Sequence, residues 1–235
     1  MAGSRRREIV RRLACCWILK AVGTTGAMSL FFVAYFHLLD QPTGTPTVVP
    51  ASVIDHLVGF QPQFFYLYAS LWLYVSLVPA IMPDRRSLIR YGVVIGMVCL
   101  VGLAVFYLYP TRIERDPSLW INQPEFAWLS AVDSSGNAFP SLHVATALFS
   151  AYWLDRTIRA LRMPASIRWL SALWALGIVY STLAIAQHVM WDVVGGVVLA
   201  MVGVMLSAPW VFVGSNAPEA NAAPISVARF RTGRK

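Results

Sequence analysis

Six apolar runs, each long enough to cross a bilayer, recur along this chain with short polar interruptions between them. They fall near residues 15–39, 64–82, 91–109, 138–154, 168–187 and 191–213. Hydrocarbon offers no water to satisfy free backbone N–H and C=O groups. A run of about 20 apolar residues at membrane depth is therefore expected to be helical. The fold class that follows is all-α, a polytopic membrane protein with six transmembrane helices in one bundle over residues 15–213. A basic segment, 1–14, precedes the bundle and a flexible basic tail, 214–235, follows it. Composition agrees: 57% of residues are hydrophobic and 13% charged, with a mean hydropathy of +0.60, against about 25% charged in soluble domains. No repeat, low-complexity block or separate soluble domain is evident.

The first run follows "RRREIVRR", which has the basic character of a signal peptide's start. The run exceeds the 7–15-residue core of a signal, and "AVGTTGA" is a poor cleavage site, so it reads as an uncleaved helix. Cys15 and Cys16 are adjacent and Cys99 lies within a run, which excludes a disulfide framework. They read as small packing residues, with lipidation of Cys15 and Cys16 as the alternative.

The net charge of +8 is a matter of placement. Arg5, Arg6, Arg7, Arg11, Arg12 and Lys20 precede or enter the first run. Arg85, Arg86 and Arg90 stand near the second interruption, and Arg156, Arg159, Arg162 and Arg168 near the fourth. Arg229, Arg231, Arg234 and Lys235 close the chain. Of the 19 basic residues only Arg112 and Arg115 fall on the opposite side. The positive-inside rule makes the crowded side, with both termini, cytoplasmic. The expected location is a plasma membrane of the bacterial inner-membrane type, with the site facing the periplasm or exterior. The basic excess serves orientation and attraction to anionic lipids, and nucleic acid is not an expected partner. All four histidines (His37, His56, His143, His188) lie at or beyond the outer ends of the runs, as do most acids. Two outer loops have some character. In "QPTGTPTVVPASVIDHLVGFQP", Val53, Ile54, Leu57 and Val58 recur at helical spacing and predict a short interfacial helix. Trp120, Phe126 and Trp128 of the next outer loop suit the headgroup region. The loops either cover the bundle or rim a substrate mouth.

His188 and Asp192 are four residues apart, hence on one helix face at the outer start of the sixth run. A carboxylate so placed holds an imidazole in one tautomer and supports positive charge on it. His143 begins the fourth run at the same depth and can converge with His188. Pro140 and Ser141 suit a helix start, where backbone N–H groups and the helix dipole favour an anion. Arg112 and Arg115 follow the third run and are candidate fork-like donors to phosphate oxygens. The set suits phosphoryl transfer. His143, His188 and Asp192 could instead ligate a metal, which the arginines would oppose. His37 and His56 read as capping or interfacial residues.

These residues resemble the type 2 phosphatidic acid phosphatase superfamily of membrane lipid phosphatases and phosphotransferases. Its signature P-S-G-H appears as Pro140-Ser141-Leu142-His143. Its S-R-x5-H-x3-D appears in "STLAIAQHVMWD" as Ser181, His188 and Asp192, followed by "VVGG". Leu142 stands where the family has glycine and Thr182 where it has arginine. The first signature, K-x6-R-P, is replaced by "YPTRIERDP". "FPSLH", "YPTR" and "QH" are together similar to the branch that contains inositol phosphorylceramide synthases. The resemblance implies an enzyme that acts on a lipid phosphate without metal or other cofactor. His188 would be the nucleophile forming a phosphohistidine, Asp192 its orienter and His143 the acid–base residue. Arg115, Arg112, Ser141, the Leu142 N–H and Thr182 would hold phosphate. The expected partners are the lipid phosphate and membrane lipids. A phosphotransferase moving a polar headgroup between lipids, or a non-catalytic lipid-binding or transport protein, are the alternative readings.

Overall fold

The computed structural model describes residues 2–211, apart from 117, 122, 127, 128 and 130–135. Trp128, Asp133 and the basic tail from 214 onward lie outside the described residues. Helix α1 (Ala2–Ala14) is basic, and Cys16 in the left-handed region (φ 55°) turns the chain into α2 (Trp17–Asp40). Then come α3 (Val53–Val58), a single 3-10 turn (Pro62–Phe64), α4 (Phe65–Ala69), α5 (Leu71–Ala80) and α6 (Arg85–Leu108). The short α7 (Ser118–Ile121) precedes α8 (Leu142–Ala160), α9 (Ala165–Ala184) and α10 (Met190–Val211).

The chain is mostly helical, and among the described residues four helices are long and apolar enough to cross a membrane: α2, α6, α9 and the Met190–Ser207 part of α10. The other two expected runs differ for identifiable reasons. The second is divided at Ser70, whose Oγ accepts the Trp174 indole N–H at 2.8 Å and donates to the Leu67 carbonyl at 2.6 Å. The fourth, α8, has 19 residues but carries Asp155, Arg156 and Arg159 toward its end. It begins at Leu142 rather than at Ala138, because Ser141 is its N-cap. The purely α expectation also needs amendment. Thr47–Val49 (β1) pairs in parallel with Thr111–Ile113 (β2), Val48 opposite Arg112. Apolar runs cannot reveal so short a pairing between two loops.

The short helix expected from Val53, Ile54, Leu57 and Val58 is α3. Its Asp55 carboxylate accepts the Ser52 N–H at 2.6 Å and, through its other oxygen, the Met190 N–H at 2.9 Å. That second bond ties the segment between α2 and α4 to the start of α10. The main core lies between α5, α6, α8 and α9, where Tyr74, Val78, Val94, Phe149 and Ile178 are fully buried. At one end of the bundle Asp155 joins Arg159 and Arg168 at 2.7 and 2.6 Å. Lys20 Nζ donates there to three carbonyls, of Arg12, Ala80 and Met82. At the opposite end the β1–β2 pair, α3 and the starts of α8 and α10 meet. Thr111 Oγ1 accepts the Phe139 N–H at 2.8 Å, which fixes the approach to α8. The chemistry-bearing residues gather at this second end.

Candidate active site

Two helix starts make the floor of the site. Ser141 caps α8: its Oγ accepts the Val144 N–H at 3.3 Å, while its own N–H donates to the Asp192 carbonyl at 3.0 Å. A helix start leaves its first N–H groups without intrahelical partners, and the Leu142 N–H is among them. The close approach of α10 depends on Gly196, where a β-carbon would lie 2.5 Å from the Ser141 carbonyl oxygen. Leu142, in the signature's glycine position, turns its side chain toward α6. Gly102 makes room for it there, since a β-carbon at 102 would sit 2.5 Å from a Leu142 methyl. Leucine is accommodated by a glycine forty residues earlier.

His188 is delivered by a turn. Helix α9 ends at Ala184, Ala186 takes the left-handed conformation (φ 55°), and the N–H groups of Gln187 and His188 both donate to the Thr182 carbonyl at 3.0 Å. The reading of His188 and Asp192 as neighbours on one helix face is corrected here: His188 precedes α10. The pair still meets, because Asp192 Oδ2 accepts the Val189 N–H at 3.1 Å and lies 3.3 Å from His188 Nδ1. Asp192 is wholly buried, and its Oδ1 has no hydrogen-bond partner among the described residues. A buried carboxylate with an unmet oxygen is costly unless positive charge compensates it. His188 is the cation-forming group in contact with it.

His143, the second residue of α8, joins them. Its Nδ1 is 3.3 Å from His188 Nε2, and its Nε2 is 2.7 Å from the Tyr68 hydroxyl on α4. With His188 neutral, as a nucleophile must be, one assignment of protons satisfies every contact: Tyr68 O–H donates to His143 Nε2, His143 Nδ1–H to His188 Nε2, and His188 Nδ1–H to Asp192. This leaves a four-residue chain from a phenol to a buried carboxylate. Among the described residues, no three His, Cys, Asp or Glu side chains are gathered as ligands of a metal ion would be.

The other expected phosphate ligands divide. Arg115 lies over the His188 turn: its Nη1 donates to the Ala186 carbonyl at 3.4 Å and to Gln187 Oε1 at 3.3 Å, and its guanidinium carbon stands 3.4 Å from the Trp120 ring centroid. Arg112 is exposed in β2, its backbone bridged to Gly136. Thr182 is fully buried, and its hydroxyl donates to the Val179 carbonyl at 2.8 Å. Its donor is thus used within its own helix, and its contribution here is the carbonyl that holds the His188 turn. Sequence reasoning missed Tyr68 and Asp55. The tyrosine's only signal is a hydroxyl inside an apolar run, a polar handle that needs a partner when buried.

A family description, PAP2 superfamily, matches residues 22–214. No curated protein and no solved structure matches this chain.

Proposed function

We propose, because the chain belongs to the PAP2 superfamily and its two histidines meet beside a buried carboxylate, that it is a membrane lipid phosphatase working through a phosphohistidine. The single observation that carries the reading is the unbroken contact series Tyr68–His143–His188–Asp192. In the first step the lone pair of His188 Nε2 attacks phosphorus and the ester P–O bond breaks. His143 gives its proton to the departing alkoxide, and Asp192 stabilises the charge that develops on the His188 ring. In the second step His143 takes a proton from water as its oxygen attacks phosphorus, and the P–N electrons return to His188. The phosphoryl group must enter between the two rings, so the resting 3.3 Å contact opens when substrate binds.

The Leu142 N–H, at a helix start, suits an equatorial phosphate oxygen. Ser141 acts by shaping that start, and Thr182 by holding the His188 turn. Arg115 is the direct cationic contact, supported by its position over residues 186–187. Arg112 contributes general attraction. Arg115→Ala is therefore expected to lower kcat/KM about 30-fold or more, and Arg112→Ala less than about fivefold. Equal losses in purified protein would reverse that division, and near-normal turnover in the double variant would remove both from the mechanism.

In the membrane, the reading has six spans, with α4–α5 and α8 supplying the two beyond the four apolar helices. Both termini are cytoplasmic and the histidine end faces outward. The basic residues near Lys20, Arg85 and Arg168 support this orientation. Within the family, "FPSLH" and "YPTR" make transfer to an alcohol the finer alternative to hydrolysis. One assay tests these points together: phosphate release from a panel of lipid phosphates in detergent, with and without polyol acceptors and a chelator. Release unaffected by the chelator is expected. Failure of every lipid phosphate to turn over would sink the enzyme reading, and a phosphorylated polyol would favour transfer. In oriented vesicles, release only from substrate on the basic side would overturn the orientation.

A further inference from the structure

The cavity that reaches the histidine pair is much larger than a phosphate needs. About 820 Å³ lies between α2 on one side and α5, α6 and α8 on the other. His143, His188 and Tyr68 line one end, and Leu19 and Gly23 line the other, near the start of α2. From Leu19 to Phe36 the groove follows α2 for about 26 Å at a rise of ~1.5 Å per residue. That is most of the ~30 Å hydrocarbon core, and well beyond the ~15 Å depth of a single leaflet.

Two observations mark the groove as part of the fold rather than a loose fit. Helix α2 is fastened at both ends and walls the groove between them, where Phe32 meets Trp72 of α5 at 5.2 Å between ring centroids. At its start Lys20 Nζ donates to the carbonyls of Arg12, Ala80 and Met82 at 2.6, 2.8 and 3.1 Å. Near its finish Asn137 Nδ2 donates to the Tyr35 carbonyl at 3.1 Å, and the Thr43 hydroxyl donates to the Tyr107 carbonyl. Lys20 and Tyr35 are the only buried residues of α2. Across the gap, Gly92 and Gly96 lie one turn apart on α6 and line the cavity, and among the described residues a β-carbon at either would meet no atom within 4 Å beyond its own helix backbone. Gly102 on the same helix has a packing reason, the Leu142 side chain, but these two have none among the described residues. Glycine in a helix interior costs about 1 kcal/mol relative to alanine. What Gly92 and Gly96 provide is width in the groove.

We infer that this groove binds the substrate's tail as one hydrocarbon chain longer than a leaflet, of the polyisoprenoid or very-long-alkyl kind, with Gly92 and Gly96 setting its bore. The inference rests on the reading that phosphate binds at His188. The lining is almost wholly apolar apart from the histidine end, so the tail runs away from the phosphate toward Leu19. The acyl chains of an ordinary glycerolipid stop near the midplane and would leave the Leu19 half empty.

Photocrosslinking tests this on the full chain in lipid nanodiscs. The probe is a single-tail alkyl phosphate longer than a leaflet, with a diazirine at the tail's end. Three comparators carry the same group: the corresponding free alcohol, a short-tail phosphate and a diacyl phosphate. Label from the long phosphate is expected on peptides holding Leu19, Gly23 and Gly92, at least about tenfold above that from the free alcohol. Gly92→Leu with Gly96→Leu should cut that label about fivefold or more. Should the double variant not fold, the native chain serves: unlabelled long-tail phosphate should displace the label and short-tail phosphate should not. Equal labelling by the alcohol, a preference for the diacyl phosphate, or label chiefly on Trp169 and Leu170, exposed on the surface of the bundle, would overturn the proposal. Phosphate release is read on the same samples. Groove labelling without release sinks only the enzymatic reading, and release without groove labelling sinks only this one.

Discussion

His188→Ala is expected to lose all covalent label from a substrate carrying a radioactive phosphoryl group, with turnover reduced about 10⁴-fold or more. No other imidazole stands where His188 does: its Nδ1 faces the buried Asp192 and its Nε2 faces the space shared with His143. His143→Ala should behave differently, because in the proposed mechanism its proton serves both the leaving alcohol and the attacking water. An aryl phosphate needs little protonation to depart, so its first step survives better than the second. The phosphoenzyme should accumulate in His143→Ala, break down in acid like a phosphoramidate, and map to His188. The hydrogen bond from Tyr68 to His143 supports this assignment, since His143 then presents Nδ1 toward the reacting atoms. Label recovered on His143 of the native chain would reverse the roles. Absence of label in every variant would favour direct attack by water or the non-catalytic reading.

The parts of this arrangement that the sequence exposed are those with a local cause. Apolar length alone marks α2, α6, α9 and α10, because a bilayer demands helix of that length. The spacing of Val53, Ile54, Leu57 and Val58 marks α3 for the same kind of reason. Ser141 before a run of helix formers marks the start of α8, although the preceding apolar residues obscured where the helix begins. What stayed hidden depends on partners distant in the chain. The pairing of residues 47–49 with 111–113 is too short to leave an alternating pattern. Tyr68 looks like any interfacial aromatic until α4 is placed against α8. Leu142 looks like a damaged signature until Gly102 supplies the space that a glycine at 142 would have left. The closeness of His188 and Asp192 was legible, but its cause was not a shared helix face. It is the turn at Ala186, with two N–H groups on the Thr182 carbonyl, that brings them together. The groove along α2 had no sequence signal at all, since Gly92 and Gly96 are common residues in membrane helices.

Asp192→Asn should lower phosphoenzyme formation about 10³-fold while leaving substrate KM within about fivefold. The substitution preserves volume, and an amide oxygen can still accept the Val189 N–H that Asp192 Oδ2 accepts at 3.1 Å. The Ser141 N–H is held by the backbone carbonyl of residue 192, which the change does not touch. The two helix starts therefore stay joined, and the phosphate-facing N–H groups keep their places. What disappears is a full negative charge, fully buried, 3.3 Å from the ring that becomes positive as its nitrogen bonds to phosphorus. At low local dielectric that charge is worth far more than on the surface, and a neutral amide cannot replace it. The amide also brings N–H donors into a pocket where Oδ1 has no partner among the described residues. If it turns its nitrogen toward His188, the imidazole is driven into the wrong tautomer and the loss deepens. In the proposed mechanism Asp192 is thus a positioning and charge-compensating residue that acts through His188. The separation of kcat from KM distinguishes that role from a purely structural one. Activity within about tenfold of native for Asp192→Asn would show that the carboxylate merely caps the start of α10. A large rise in KM with kcat unchanged would place its effect on substrate binding instead.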